Sequence, residues 1–126
     1  DYAEAVNWYR KAANQGYASA QNNLGSMYRR GQGVTKDLKE AVKWYQKAAE
    51  QKNSLAQNNL GVIYSKGRGI PKNNVYAHMW MDIAATNGRA NAVKNRDIVA
   101  KKMTAAEISK AQALAKECVK KNYKGC

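Results

Sequence analysis

Residues 1–36 can be laid over residues 37–72 without a gap, and about 20 of the 36 aligned positions carry the same amino acid. The shared skeleton includes Ala5, Val6, Trp8, Tyr9, Ala12 and Ala13 against Ala41, Val42, Trp44, Tyr45, Ala48 and Ala49. It continues through Gln21-Asn22-Asn23-Leu24-Gly25 against Gln57-Asn58-Asn59-Leu60-Gly61. A third copy starts at Asn73, keeps Ala77, Trp80, Ala84, Ala85, Gly88, Ala90 and Ala92, and then degenerates. A unit this short cannot bury an apolar face alone, so a period near 36 residues with two helical patterns per unit implies a stack. The expected fold is an all-α helical solenoid. The repeats occupy residues 1–103 (copies 1–36, 37–72 and a degenerate 73–103), and a C-terminal capping helix and tail occupy 104–126 of the same domain.

The recurring residues have physical reasons. Val42, Tyr45, Ala48 and Ala49 share one helix face, as do Ala56, Leu60, Ile63 and Tyr64. The repeated alanines let two helix axes come close. Gly25 and Gly61 fall inside helical patterns, where each costs about 1 kcal/mol relative to Ala. A cost repeated at the same phase points to a tight contact with a neighbouring helix. Gly31 and Gly67 follow basic residues at helix ends and read as C-terminal caps, while Asp37 and Asn73 can cap the next helix.

Phase matters. If the Gln-Asn-Asn segment is the first (A) helix of a pair and the Trp-Tyr segment the second (B), pairs run over about 18–51 and 54–87. A last A helix spans about 89–102. The chain then opens with a B helix that has no A partner, which leads us to expect further repeats before Asp1. Thr104 and Glu107 form a capping-box pattern for the closing helix, whose apolar positions are Ile108, Ala111, Leu114, Ala115 and Cys118. That helix is expected to cover the last open face of the stack.

Only two cysteines occur, Cys118 and Cys126. They fit a disulfide pinning the tail to the closing helix, which requires an oxidising compartment, or two free thiols in a reducing one. A zinc site needs about four ligands, and two cysteines with the lone His78 do not supply them. No metal or cofactor is expected. No apolar run approaches the ~20 residues of a membrane span.

Lys and Arg number 22 against 9 Asp and Glu, a formal charge of +13. Residues 89–126 are the most basic, at about +7 by simple counting, and residues 73–88 the least, at about −1. Such a surface attracts acidic partners. Phosphate contacts would make the chain a polyanion-binding module, for nucleic acid or an acidic cell-surface polymer. No nucleic-acid module signature is present, which disfavours nucleic acid.

The string Ala-Gln-Asn-Asn-Leu-Gly with Tyr28, Gly31 and Gly33 (Tyr64, Gly67 and Gly69 in the second copy) precedes Glu40-Ala41-Val42, Trp44-Tyr45 and Lys47-Ala48-Ala49. With these motifs the chain resembles the Sel-one-like repeat (SLR) family, relatives of the tetratricopeptide repeats, strongly over residues 1–88 and weakly beyond. The resemblance implies a right-handed, tetratricopeptide-like superhelix of antiparallel helix pairs and a role as a scaffold or adaptor for other proteins. It also implies a bacterial origin and export to the periplasm or beyond. In related repeats the outward residues of the A helices line a concave groove. In this sequence those are Asn22, Ser26, Arg29, Asn58, Val62, Ser65, Lys94, Ile98 and Lys101. Asn side chains can bond a peptide backbone and the cations can meet carboxylates, so an acidic peptide or protein segment is the expected ligand. For Asn22 and Asn58 an alternative is hydrogen bonding within the repeats.

Catalysis needs a nucleophile with a base, a carboxylate pair or a metal. His78 takes the repeat position of Val6 and Val42, which makes it a packing or surface substitution. The acidic residues are scattered, and Glu4 and Glu40 recur by repeat equivalence. No enzyme is expected.

Overall fold

The computed structural model describes residues 1–126 as seven α-helices without a strand: α1 (Tyr2–Asn14), α2 (Ala18–Arg30), α3 (Leu38–Ala49), α4 (Ser54–Lys66), α5 (Asn74–Thr86), α6 (Ala90–Ala100) and α7 (Ala105–Lys120). Helix starts are set by side chains that satisfy otherwise orphaned backbone donors. Asp1, Asp37, Asn53 and Asn73 each accept from an amide in the first turn. Thr104 and Glu107 close both bonds of a capping box, at 3.1 and 2.8 Å. The A helices α2 and α4 end at Gly31 and Gly67, both left-handed (φ 69° and 62°), a conformation other residues adopt only with strain.

Each A helix packs on the B helix that follows it, α2 on α3 and α4 on α5, and each B helix packs on the next A helix. The A–B contact is close because glycine stands in it. A Cβ on Gly25 would lie 2.8 Å from the Tyr45 ring, and one on Gly61 would lie 2.6 Å from Met81 Cγ. Tyr45, Trp80, Leu24 and Leu60 are fully buried around these contacts. Trp44 reaches back onto the preceding unit, among Val6, Ala13, Ala20, Leu24 and Met27. Its equivalent Trp8 is 69% exposed. His78 is buried, so the packing alternative for this position holds.

The closing helix departs from the expected geometry. α7 lies along α5 rather than α6. Its buried residues Ala115 and Cys118, with Tyr123, join the core formed by Met79, Trp80 and Ile83. The outer face of α6 therefore stays uncovered, and Val93 and Ile98 remain exposed. The physical reason lies in the tail. Cys118 and Cys126 are joined in a disulfide, and Asn122 and Tyr123 take positive φ to fold the chain back. Tyr123 is thereby buried, and its hydroxyl donates to Asn87 Oδ1 at 3.4 Å, at the end of α5.

Two outcomes follow. Gly25→Ala gains about 1 kcal/mol of helix propensity but overpacks a fixed ring at a cost of about 1–3 kcal/mol. A lower urea midpoint is expected, and a higher one would remove the close-contact explanation. Cys126→Ser opens an 8-residue loop, so chain entropy predicts a loss of up to about 2.5 kcal/mol. An unchanged thermal midpoint would show that the tail contributes nothing to the fold.

Candidate functional site

The A helices α2, α4 and α6 are joined side to side by amide side chains. Asn59 Nδ2 donates to Asn22 Oδ1 at 3.0 Å, and Asn95 Nδ2 donates to Asn58 Oδ1 at 3.2 Å. A second ladder runs behind it. Gln51 donates to Gln21 and Asn87 to Gln57, while Gln21 and Gln57 donate to the carbonyls of Ala13 and Ala49. Asn22 and Asn58 are both 4% exposed. This corrects their expected place in a binding groove: their carbonyls are taken up between repeats and face no solvent.

The same three helices enclose two notches. The first, of about 180 Å³, lies between α2 and α4, with Val62 and Ile63 as floor and Arg29, Lys36, Lys66 and Arg68 around it beside Leu38. The second, of about 320 Å³, lies between α4 and α6, with Ile98, Val99 and Met81 as apolar wall and Ser65, Asn74, Asn95 and Lys102 around it. Val62 and Lys66 belong to both. The notches are repeat images of one another: Arg29, Leu38, Val62, Ile63 and Lys66 in the first correspond to Ser65, Asn74, Ile98, Val99 and Lys102 in the second.

No acidic side chain lines either notch. The ion pairs of the molecule lie elsewhere, at Lys43–Glu40, Arg96 with Asp82 and Asp97, and Lys121–Glu117. The five notch cations thus have no carboxylate partner, and Arg29 Nε is buried without any hydrogen-bond acceptor. An unsatisfied donor of this kind favours an incoming oxygen.

Of the residues expected from sequence, Arg29, Val62, Ser65 and Ile98 are brought together here. The Ser65 hydroxyl is already used, donating to the Val62 carbonyl at 2.7 Å. Ser26 is held 2.7 Å from the Tyr45 hydroxyl. Burial raises the Tyr45 pKa, against the lowering effects of the Ser26 hydrogen bond, Arg29 and Arg30. Lys94 and Lys101 are exposed and line neither notch. Sequence reasoning missed Lys36, Leu38, Lys66, Arg68, Asn74 and Lys102. A signal was present: Arg30, Lys66 and Lys102 form a series of cations one repeat apart, but the first two had been read only as basic residues beside helix caps.

No group of three His, Cys, Asp or Glu side chains gathers as a metal site, and no helix is long and apolar enough to cross a membrane. His78 sits among Asp82, Arg96 and Asp97. Burial lowers its pKa, with Arg96 acting in the same direction and the two carboxylates opposing.

Stacked helix pairs tied by recurring amide ladders, with a notch repeated at the period of the sequence, define a helical-repeat protein. The chain belongs to the Sel1 repeat family, whose model matches residues 1–17, 18–53 and 54–88. Sel1 repeats are generally protein–protein interaction modules and typically non-enzymatic scaffolds. The matched segments 18–53 and 54–88 coincide with the pairs α2–α3 and α4–α5. Among solved structures, the chain is similar to c5321 of uropathogenic Escherichia coli, a protective antigen with an SLR fold, at 40% identity and a TM-score of 0.90, over 96% of this chain and 27% of that one. It is also similar to a Sel1 repeat protein from Oxalobacter formigenes, at 43% identity and a TM-score of 0.71, over 76% of this chain and 38% of that one. The chain thus spans well under half the length of either. No curated protein matches it.

The lowered pKa of His78 has a testable consequence. Unfolded histidine takes a proton near pH 6.5, while the folded one resists it. The contribution is complete above about pH 6.5 and is lost as pH falls through and below that value. Urea midpoints at pH 7 and pH 5 should therefore drop more for the native chain than for His78→Val, the residue found at positions 6 and 42. Parallel drops would exclude His78 as the cause.

Proposed function

We propose that this chain is a protein-interaction module that takes an acidic segment of another protein along the face formed by α2, α4 and α6. The observation that carries the reading is the pair of stacked notches, whose cations have no carboxylate within the chain. Cations around an apolar floor without carboxylate partners can supply charge-assisted hydrogen bonds to an incoming carboxylate. The adaptor character typical of Sel1 repeats supports the same reading.

No catalysis belongs to it. His78 is buried, with Nδ1 unbonded, and no nucleophile is paired with a base.

Two further features belong to this reading. The chain works as part of a longer repeat protein. Trp8 and Tyr17 are exposed on α1 and at the start of α2, beside a shallow groove lined also by Tyr9, Ala12 and Asn23. Asn23 and Gln15 hold the repeat positions of Asn59 and Gln51, the donors of the two ladders. A preceding A helix presenting a Gln-Asn pair would complete both and cover Trp8. The module works outside the cytoplasm, where the Cys118–Cys126 disulfide persists.

Capture of partners on the immobilised chain at ~50 and ~200 mM salt tests the reading, since counterion release weakens a polyanion contact steeply over that range. One protein retained at the higher salt and lost with Arg29→Glu/Lys66→Glu is expected. Recovery of nucleic acid or acidic polymer alone, at the lower salt only, would replace the adaptor with a polyanion-binding module.

A further inference from the structure

We propose that Asn87 is a self-modification site. The amide nitrogen of Gly88 cyclises onto its side chain and deamidates it, and the disulfide-bound tail restrains the reaction. This inference draws on neither the notches nor a partner.

The sequence supplies the chemistry. Of the asparagines in the chain, only Asn87 is followed by glycine. An asparagine side chain is the right length to close a five-membered imide with the next backbone nitrogen. Glycine, without a Cβ, lets that nitrogen turn toward it. The repeat equivalents of Asn87 are Gln15 and Gln51, whose extra methylene requires a larger and slower ring closure. Gly16, Lys52 and Gly88 follow them, all at positive φ (94°, 67° and 93°). A Cβ built on Gly88 meets nothing within 4 Å, so no neighbour blocks its movement.

The step balances with water as the only co-reactant. The Gly88 nitrogen gives up its proton and bonds to Asn87 Cγ. The Cγ–Nδ2 bond breaks, and the side-chain nitrogen leaves as ammonia with a proton from solvent. Water then opens the imide at either carbonyl. The product is aspartate, or isoaspartate with the backbone running through the former side chain.

The structure supplies the restraint. The Gly88 amide donates to the Ala85 carbonyl at 3.1 Å, which holds its proton toward α5. Asn87 Nδ2 donates to Gln57 Oε1 at 3.1 Å, and Asn87 Oδ1 accepts from the Tyr123 hydroxyl at 3.4 Å. The first two bonds belong to the helix end and the amide ladder. The third exists only while the tail is folded back, with Tyr123 buried, its amide bonded to the Cys118 carbonyl, and Cys126 joined to Cys118. Release of the tail frees one side of the half-buried Asn87 amide, and such local openings set how often a guarded group reacts. The reaction also has a structural consequence. Nδ2 is the donor that the fully buried Gln57 accepts, so a carboxylate at position 87 sets acceptor against acceptor and removes the rung tying the end of α5 to α4.

The test incubates the full chain in mildly alkaline buffer and follows conversion by peptide mass mapping, with isoaspartate detected by enzymatic methyl labelling. A synthetic peptide of residues 83–92 gives the unguarded rate. Native chain should convert at Asn87, more slowly than the peptide. Tyr123→Phe keeps the ring and the disulfide and removes only the hydroxyl. It should speed conversion up to about fivefold, the factor carried by one neutral hydrogen bond. Cys126→Ser, which frees the tail, should speed it further. Asn87→Gln, the residue of the other two copies, should not convert and should keep a higher thermal midpoint than Asn87→Asp. No conversion at Asn87 would overturn the site. Equal rates in native chain and peptide, or in native chain and both tail variants, would overturn the restraint, and equal midpoints for the two position-87 variants would overturn the loss of the rung.

Discussion

Each A helix is tied to the next by an amide–amide hydrogen bond whose acceptor is buried and whose donor is half-buried, from Asn59 to Asn22 and from Asn95 to Asn58. A buried amide left without a partner costs about 1–3 kcal/mol. The stack is therefore held at the one offset that satisfies every rung, and sliding or rotating a repeat breaks several at once. The second ladder, through Gln21, Gln51, Gln57 and Asn87, locks the A helices to the neighbouring B helices in the same way. Apolar contacts supply the burial, but they are less demanding about direction. Register comes from the amides.

The surface inherits that register. Because α2, α4 and α6 are held at equal offsets, whatever stands at the end of one A helix is repeated at the end of the next. The two notches are the outcome, alike in position and graded in charge. The first keeps Arg29 and its neighbouring cations, and the second substitutes serine and asparagine. The close approach of A and B helices at Gly25 and Gly61 contributes as well, since a side chain there would push Tyr45 or Met81 away and open the pair.

The two ends of the stack differ for physical reasons that are visible in their residues. At the front, Trp8 and Tyr17 stand in solvent and the donor positions Gln15 and Asn23 repeat those of the ladders. At the back, the disulfide and the buried Tyr123 draw α7 onto α5, and α6 keeps an uncovered outer face with Val93 and Ile98. The capping box at Thr104 was readable from four residues, yet it fixes only where α7 begins and says nothing of which helix it lies against.

The sequence by itself determined the helices, their pairing and their caps. Those depend on local spacing, on glycine at positive φ and on short side chains at helix starts, and a gapless repeat writes them twice. It also carried the disulfide as one of two alternatives. The tertiary structure alone decided which polar residues are spent inside and which remain for a partner. Asn22 and Asn58 looked like groove residues because both lie on A helices, and only the neighbouring helix, bringing Asn59 and Asn95 against them, removes them from the surface. Lys36, Lys66, Arg68 and Lys102 are scattered along the chain, and only the apposition of successive A helices and their loops gathers them around apolar floors. Local sequence sets what a residue can do within its own helix. The neighbour that consumes or frees its polar atoms arrives from about 36 residues away, through packing.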